Sequence, residues 1–164
     1  MAASARDIEH LPYRPCVGLM LLNHQGRIFA GQRADSALDA WQMPQGGIDE
    51  GETPRDAAFR ELTEETGIAP DLVSVLRESA AWRHYDLPPH LVGKLWGGRY
   101  RGQTQRWFAL RFDGEDDAID IDAHDREFRQ WAWMDAGTLI RSIVPFKRDT
   151  YTSVFEEFRD LIGR

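Results

Sequence analysis

The stretch GGIDEGETPRDAAFRELTEETGI, residues 46–68, decides the fold of this chain. Its second half predicts a helix over about Pro54–Thr66, with local signals at both ends. Thr53 suits the N-cap, Pro54 suits the first helical position, and Gly67 suits the residue that follows the last turn. A glycine-rich turn precedes this helix, so the backbone there can approach other groups closely.

The predicted helix carries three glutamates, Glu61, Glu64 and Glu65, at positions i, i+3 and i+4. They share one face, where each like-charged pair costs about 0.2–0.5 kcal/mol, and the last turn also disfavours anions. A divalent cation would reverse the sign of these terms, because Mg²⁺ takes oxygen ligands from protein, phosphate and water. The alternative interpretation is a solvated glutamate face, which this spacing taken alone more often forms.

Composition and charge exclude several classes of protein. The 164 residues are enough for one domain with its own core, and a net charge of −7 argues against a protein that coats nucleic acid. The sequence has no run of 18 apolar residues, no signal-peptide pattern at its start and one cysteine, Cys16. We therefore expect no membrane span, no disulfide framework and a cytoplasmic location.

Positive charge is concentrated in one segment. Residues 87–112 contain no Asp or Glu but include five lysines and arginines, and the acidic stretch DGEDDAIDIDAHD follows directly. Within this segment, Trp96 lies in the glycine-rich, basic and aromatic sequence GKLWGGRYRG. This sequence suits a loop that contacts a polyanion, and it equally suits a solvated loop; both interpretations stay open.

The order of predicted elements indicates one α/β domain. Apolar or aromatic runs at 17–22, 28–33, 105–112 and 130–134 predict strands, and apolar residues at helical spacing from 147 onward predict a C-terminal helix. Strands before and after a central helix, with another helix at the end, suggest a mixed sheet between helices. We expect residues 13–164 to form a single domain, and residues 1–12 to form an N-terminal extension that can be mobile.

The opening stretch is similar to the signature of the Nudix family, G-x₅-E-x₇-R-E-U-x-E-E-x-G-U, where U is a bulky aliphatic residue. All nine fixed positions match: Gly46, Glu52, Arg60, Glu61, Leu62, Glu64, Glu65, Gly67 and Ile68. The resemblance implies a Nudix α/β/α sandwich with a mixed β-sheet. It also implies hydrolysis of a nucleoside diphosphate linked to another group, with Mg²⁺ or Mn²⁺ required.

The resemblance also implies roles for the signature residues. The glutamates that match Glu61, Glu64 and Glu65 bind metal or act on the attacking water in the family, and the backbone near Gly46 adds a metal ligand. Glu52, Arg60 and Gly67 would be structural, orienting the loop and the helix. Outside the signature, Glu127 matches a glutamate that contributes to catalysis with Glu61 and Glu65; alternatively it is one more acid of an acidic loop.

Further stretches, among them YRPCVG, WQMPQGGI and VPFKRDTY, resemble the branch of the family that contains RNA 5′-pyrophosphohydrolases and dinucleoside polyphosphate hydrolases. The substrates that this branch implies are 5′-triphosphorylated RNA and dinucleoside polyphosphates; nothing in the sequence assigns a protein partner. The residues that the resemblance assigns to substrate binding are Arg14, Arg33, Gln45, Tyr85, Phe146 and Lys147. Alternatively, the basic residues among them are ordinary exposed side chains, and Phe146 packs in the core.

The leading hypothesis is therefore a Mg²⁺-dependent enzyme, with Mn²⁺ as a possible substitute, that removes pyrophosphate from the 5′ end of triphosphorylated RNA. Asymmetric cleavage of diadenosine tetra- or pentaphosphate needs the same catalytic centre, so the signature does not separate the two activities. A non-catalytic nucleotide sensor is the alternative from another class, and an interaction domain is a further one. Sensors on this scaffold usually lose signature glutamates, and here none is missing.

Overall fold

A computed structural model describes residues 5–35, 39–124 and 126–163 of the chain, without the side chains of residues 5 and 6. Helices alternate with two runs of four strands along this length. The helices are α1 (Ala5–Glu9), α2 (Pro54–Thr66), α3 (Ala136–Ser142) and α4 (Arg148–Glu157). The strands are β1 (Tyr13–Leu22), β2 (Ile28–Arg33), β3 (Trp41–Gln42), β4 (Gln45–Gly47), β5 (Val73–Glu78), β6 (Arg83–Asp86), β7 (Gly102–Phe112) and β8 (Phe128–Met134).

The described strands form one mixed sheet. Its main path runs β3-β2-β1-β7-β5, and β4, β6 and β8 pair with β1, β7 and β2 respectively. The long central strands β1 and β7 are parallel, in register from Tyr13 opposite Gly102 to Leu22 opposite Arg111. The other pairs are antiparallel.

Alternation along β1 creates two cores, one on each face of the sheet. Val17, Leu19 and Leu21 point toward α2 and share a buried cluster with it, and Met20 and Leu22 point toward α3 and α4. Helices therefore cover both faces, and the predicted α/β/α sandwich is confirmed.

Helix α2 has the predicted bounds, Pro54–Thr66, because its end signals act locally. The Thr53 hydroxyl accepts the Asp56 N–H at 3.1 Å. Gly67 adopts φ 72°, and its N–H donates to the carbonyl of Thr63. A Cβ at Gly67 would also lie 2.5 Å from the carbonyl oxygen of Asp120, so the position excludes larger residues for two reasons.

The C-terminal region differs from the prediction. The periodicity predicted one helix from residue 147 to the end of the chain, but α4 ends at Glu157, and a short 3₁₀ turn, Arg159–Leu161, follows. Tertiary contacts hold this segment off the helical path: Arg77 pairs with Asp160 at 2.8 Å, and the Gly163 N–H donates to the carbonyl of Gly26 at 2.9 Å.

The N-terminal helix lies against a small separate cluster. Ile8 and Leu11 pack on buried Tyr85, Leu87 and Val92, which also contact the aromatic ring of Phe146. The division at residue 13 and the mobility of residues 1–12 stay predictions. Among the described residues, no helix combines the length and apolarity that a membrane span needs.

Candidate active site

The glutamate face of α2 lies at the wall of a cavity of about 320 Å³. Glu61 and Glu65 are buried, with 9% and 5% of their surfaces exposed, whereas 48% of the Glu64 side chain is exposed. The three glutamates therefore do not form a solvated face. Two of the three carboxyl groups sit away from water, beside the backbone of β4.

Two glycines of β4 allow the backbone to pass between side chains of opposite charge. A Cβ at Gly46 would overlap the carboxylate of Glu61, and a Cβ at Gly47 would lie 2.5 Å from Nη2 of Arg14. The adjacent Gln45 N–H donates to Oε2 of Glu65 at 3.1 Å. The glycine-rich turn thus brings β4 into direct contact with the buried carboxylates.

Arg60 and Glu52 join this turn to the helix. Nε and Nη2 of Arg60 donate to the two oxygens of Glu52 at 2.8 and 2.9 Å, and Nη2 also donates to the Gly47 carbonyl at 2.8 Å. Nη1 of the same guanidinium donates to Glu61 at 2.9 Å and to Glu64 at 3.2 Å. One arginine therefore sets the positions of the turn and of two cavity glutamates.

Burial makes the two inner carboxyl groups resist ionisation. It raises the pKa of Glu61 to about 7, although the hydrogen bond from Arg60 opposes the shift. It also raises the pKa of Glu65 well above its usual range, and the negative charges of Glu61 and Glu127 add to that effect. The Arg60 hydrogen bonds have the opposite effect on Glu52, whose pKa falls to about 2.

Cationic and aromatic side chains form a second part of the cavity lining, the cationic wall. Lys147 is only 6% exposed, and burial, with the charge of Arg33, lowers the pKa of its ammonium group to about 8. Its Nζ lies 5.9 Å from the ring centre of Tyr85 and 6.0 Å from that of Phe146. Arg14 reaches the same cavity, where its Nη1 donates to Sγ of Cys16 at 3.3 Å.

Glu127 and Arg33 enter the cavity from neighbouring backbone segments. The Ala34 N–H donates to the carbonyl of Glu127 at 2.9 Å, which holds the two segments together. Arg33 also pairs with Asp35 at 2.6 Å and keeps 42% of its side chain exposed. Glu127 also borders a second hollow with His124 and the α2 glutamates, which we call the acidic wall.

The cavity gathers all the residues for which the sequence predicts a catalytic, metal-binding or substrate-binding role. The signature residues with a predicted structural role, Glu52, Arg60 and Gly67, do not line the cavity and make the contacts described above. The predicted residues that line the cavity are Arg14, Arg33, Gln45, Gly46, Glu61, Glu64, Glu65, Tyr85, Glu127, Phe146 and Lys147. Their individual roles stay predictions.

Comparison with known proteins decides the family. The NUDIX domain model matches residues 12–154. The chain belongs to the Nudix family. The RNA pyrophosphohydrolase of Sphingopyxis alaskensis is 56% identical over 156 residues, covering 95% of this chain and 99% of that protein. The RNA pyrophosphohydrolase of Novosphingobium aromaticivorans is 59% identical over 154 residues, covering 93% of this chain and 96% of that protein.

A solved structure shows the same fold at lower identity. The E. coli dihydroneopterin triphosphate pyrophosphohydrolase superposes with a TM-score of 0.69 at 23% identity, covering 87% of this chain and 96% of that one. The Nudix sandwich described above is therefore shared with an independently solved member of the fold.

The acidic wall of this Nudix chain fits a divalent cation, which Nudix hydrolases generally use. Its donors are carboxylate oxygens, the ligands that hard cations prefer. Within the described ranges, no three His, Cys, Asp or Glu side chains already converge as a ligand set, and Nη1 of Arg60 lies between Glu61 and Glu64. A partial set suits an ion that completes its shell with water and phosphate oxygens.

Two polar side chains of the Nudix cavity carry no role in the sequence analysis. Gln42 and Gln103 line the cavity with 8% and 2% of their surfaces exposed. Gln103 accepts a hydrogen bond from Gln105 at 2.7 Å, and Gln105 in turn reaches Gln45 at 3.3 Å. The signal was present in GQTQRW, where glutamines occupy alternate positions of a strand and lead to the buried Trp107. A buried amide needs a partner.

Proposed function

We propose that this protein is a Nudix pyrophosphohydrolase that removes pyrophosphate from the 5′-triphosphate end of RNA. The observation that carries the proposal is that buried carboxylates and cationic side chains line the same cavity. Such a cavity matches a polyphosphate, whose oxygens need both a bound metal and positive side chains. Relatives that are 56% and 59% identical over nearly the whole chain are RNA pyrophosphohydrolases, which supports RNA as the substrate.

The cationic wall would hold the triphosphate. Lys147 is buried, so its charge acts on a phosphate without much screening by water. Arg14 presents a planar guanidinium that suits two oxygens of one phosphate. Arg33 and Phe146 would flank the first base, because both a guanidinium plane and an aromatic ring stack on bases.

The acidic wall would carry the chemistry. Water adds to one phosphorus of the α–β linkage, the bond to the bridging oxygen breaks, pyrophosphate leaves, and the RNA keeps a 5′-monophosphate. A bound divalent ion neutralises phosphate oxygens and makes water a better nucleophile. Glu61, Glu64 and Glu65 would hold the ion with the backbone of Gly46, and Glu61, Glu65 or Glu127 would accept the proton of the attacking water.

We further propose Mg²⁺ as the ion, with Mn²⁺ as a substitute, and a cytoplasmic location where RNA 5′ ends are available. Mg²⁺ fits because it binds few protein carboxylates and keeps positions for phosphate and water. Glu52 and Arg60 would act indirectly, by holding β4 against α2.

The test is pyrophosphate release from a 5′-triphosphorylated RNA, compared with turnover of diadenosine tetraphosphate by the same preparation. We expect faster cleavage of the RNA, dependence on Mg²⁺, and a loss of at least about 100-fold in kcat for Glu65→Gln. The matched control is Glu156→Gln, an exposed glutamate of α4. Faster cleavage of the dinucleotide at saturation would reassign the substrate, and full activity of Glu65→Gln would overturn the catalytic assignment.

A further inference from the structure

Two guanidinium groups and two aromatic rings form a chain of contacts from the cavity to the surface at the loop of residues 91–101. Cζ of Arg14 lies 5.4 Å from the ring centre of Trp96. The rings of Trp96 and Tyr100 meet edge to face at 6.3 Å, and Cζ of Arg99 lies 5.7 Å from the ring of Tyr100. We call these four residues the ladder. Arg14 and Trp96 line the cavity, so the ladder begins at the cationic wall.

The backbone under the ladder is strained. Within the described residues, Trp96 is the non-glycine residue with a positive φ, 52°, and Gly97 and Gly98 follow at 68° and 73°. A bulky residue in this region costs energy and persists where the surroundings impose it, often at functional sites. Here the surroundings are Val92 and Tyr85, buried residues against which Trp96 packs. The loop therefore holds the indole ring at the rim of the cavity.

Three cations at this surface have no ion-pair partner among the described residues. Residues 87–112 contain no Asp or Glu. Among the ion pairs of the described residues, none involves Arg14, Lys94 or Arg99, whereas Arg101 pairs with Asp86 at 2.8 Å. Cations without carboxylate partners beside partly exposed aromatic rings attract a polyanion that also has flat rings.

Single-stranded RNA is the ligand with this chemistry. Its unpaired bases stack on aromatic rings and guanidinium planes, and its phosphates are drawn to the neighbouring cations. We propose that the ladder binds the nucleotides that follow the 5′ nucleotide of a single-stranded RNA. This inference rests on the proposed function and extends it, because an RNA continues with further nucleotides on the 3′ side of its first nucleotide. In a dinucleoside polyphosphate the second nucleoside lies at the far end of the phosphate chain instead.

Binding of the reaction product tests the ladder apart from catalysis. The probe is a six-nucleotide, 5′-monophosphorylated single-stranded RNA with a 3′ fluorophore, followed by fluorescence anisotropy. We expect Trp96→Leu and Tyr100→Leu to weaken binding by about 5- to 150-fold, the range for loss of one stacked base. Tyr100→Phe should keep the affinity. Tyr100→Leu is the cleaner of the two leucine variants, because Tyr100 does not line the cavity.

The matched control is Trp82→Leu. Trp82 is 40% exposed and has Arg106 over its ring at 5.9 Å, so it offers the same kind of pair away from the ladder. Its loss should leave RNA affinity unchanged. A second RNA lacks the bases at positions 2–4. The wild-type protein should bind this RNA as weakly as the ladder variants bind the intact RNA. The ladder variants should bind the RNA without these bases as tightly as the wild-type protein does.

Two outcomes would overturn the proposal that the ladder binds RNA. One is unchanged affinity of Tyr100→Leu and Trp96→Leu for the intact RNA. The other is a change in oligomeric state in these variants without a change in RNA binding, which would assign the surface to a second copy of the chain. Pyrophosphate release is measured separately. If the ladder variants lose RNA affinity but the wild-type protein releases no pyrophosphate, only the proposed function is contradicted. If the wild-type protein releases pyrophosphate but the ladder variants keep their RNA affinity, only this inference is contradicted.

Discussion

Gly46 shows how one missing side chain shapes the cavity. Its backbone lies where any Cβ would overlap the Glu61 carboxylate, so the residue keeps β4 and α2 in direct contact. The requirement is steric, since Gly46 does not need a positive φ. Larger residues would have to displace Glu61, which Arg60 holds at 2.9 Å.

Replacing Gly46 with Ala is therefore expected to reduce kcat/KM for triphosphorylated RNA by at least about 100-fold, since a misplacement of about 1 Å can cost that much. Overpacking should also lower the melting temperature by about 2–12 °C. The control is Gly137→Ala in α3, where the added Cβ meets only Arg141 at 3.3 Å and Asp135 at 3.4 Å. It should keep full activity, and a fully active Gly46→Ala would show that catalysis does not need this close approach.

At the level of residues, the sequence was informative where the pattern is local. Glu61, Glu64 and Glu65 share a helix face, so their spacing alone places them together. Gln103 is different: its hydrogen-bond partner Gln105 lies in the same strand, but only the three-dimensional structure shows that Gln103 lines the cavity. The spacing likewise did not show that the Arg60 side chain lies between Glu61 and Glu64, although the signature did identify Arg60 as one of its fixed positions.

The same distinction holds for whole elements. Helix α2 could be predicted with its bounds because Thr53, Pro54 and Gly67 determine them from within the stretch. Helix α3 was missed, because seven residues give too little periodicity for a prediction. The end of α4 at Glu157 was missed because contacts with distant segments decide it.

Glu157 also anchors α4 to the turn before β6. Its carboxylate accepts the Ala80 N–H at 2.8 Å and a hydrogen bond from Arg83 at 2.5 Å. Burial alone would raise the pKa of Glu157, but these hydrogen bonds outweigh it and the pKa in the folded state is lowered. The folded state thus binds fewer protons, so this stabilisation is present above the unfolded pKa of about 4.3 and disappears as the pH falls below it.

We accordingly expect Glu157→Gln to lower the melting temperature by about 2–8 °C at pH 7, since hydrogen bonds to a charged group contribute about 1–2 kcal/mol here. The difference from wild type should shrink at pH 3, where the wild-type carboxylate also becomes protonated. Thermal unfolding followed by circular dichroism at both pH values measures it. Glu156→Gln, one residue earlier and exposed, is the control; a pH-independent difference would contradict the charge-based explanation.

On the scale of the whole molecule, the cavity joins segments that lie far apart in the sequence. Arg14 comes from β1, Glu61 and Glu65 from α2, Glu127 from the segment before β8, and Lys147 from the turn before α4. The parallel pairing of β1 with β7 and the helices on opposite faces of the sheet bring them together. Periodicity along the chain does not contain that pairing, so the assembly of the cavity was predictable only through the resemblance to a family.

This assembly predicts that a divalent cation stabilises the whole fold. Without an ion, ionisation of the buried Glu61 and Glu65 is unfavourable, as their raised pKa values indicate. An ion that binds only the folded state adds about 2.7 kcal/mol at a concentration 100 times its Kd, which corresponds to about 5–11 °C in melting temperature. We expect this increase for the wild-type protein when Mg²⁺ is added after treatment with a chelator, measured by differential scanning calorimetry at pH 8.

The melting temperature of Glu65→Gln should depend on Mg²⁺ differently from that of the wild type, which separates ion binding from a general salt effect. In the chelated state it should melt above the wild type, because a neutral amide replaces a carboxyl group whose ionisation burial opposes. With Mg²⁺ it should gain little, because a buried donor of the acidic wall has lost its charge. Glu156→Gln should follow the wild type in both states. If Glu65→Gln melts below the wild type without the ion and still gains the full increase with it, the buried glutamate is a packing residue and the ion lies elsewhere.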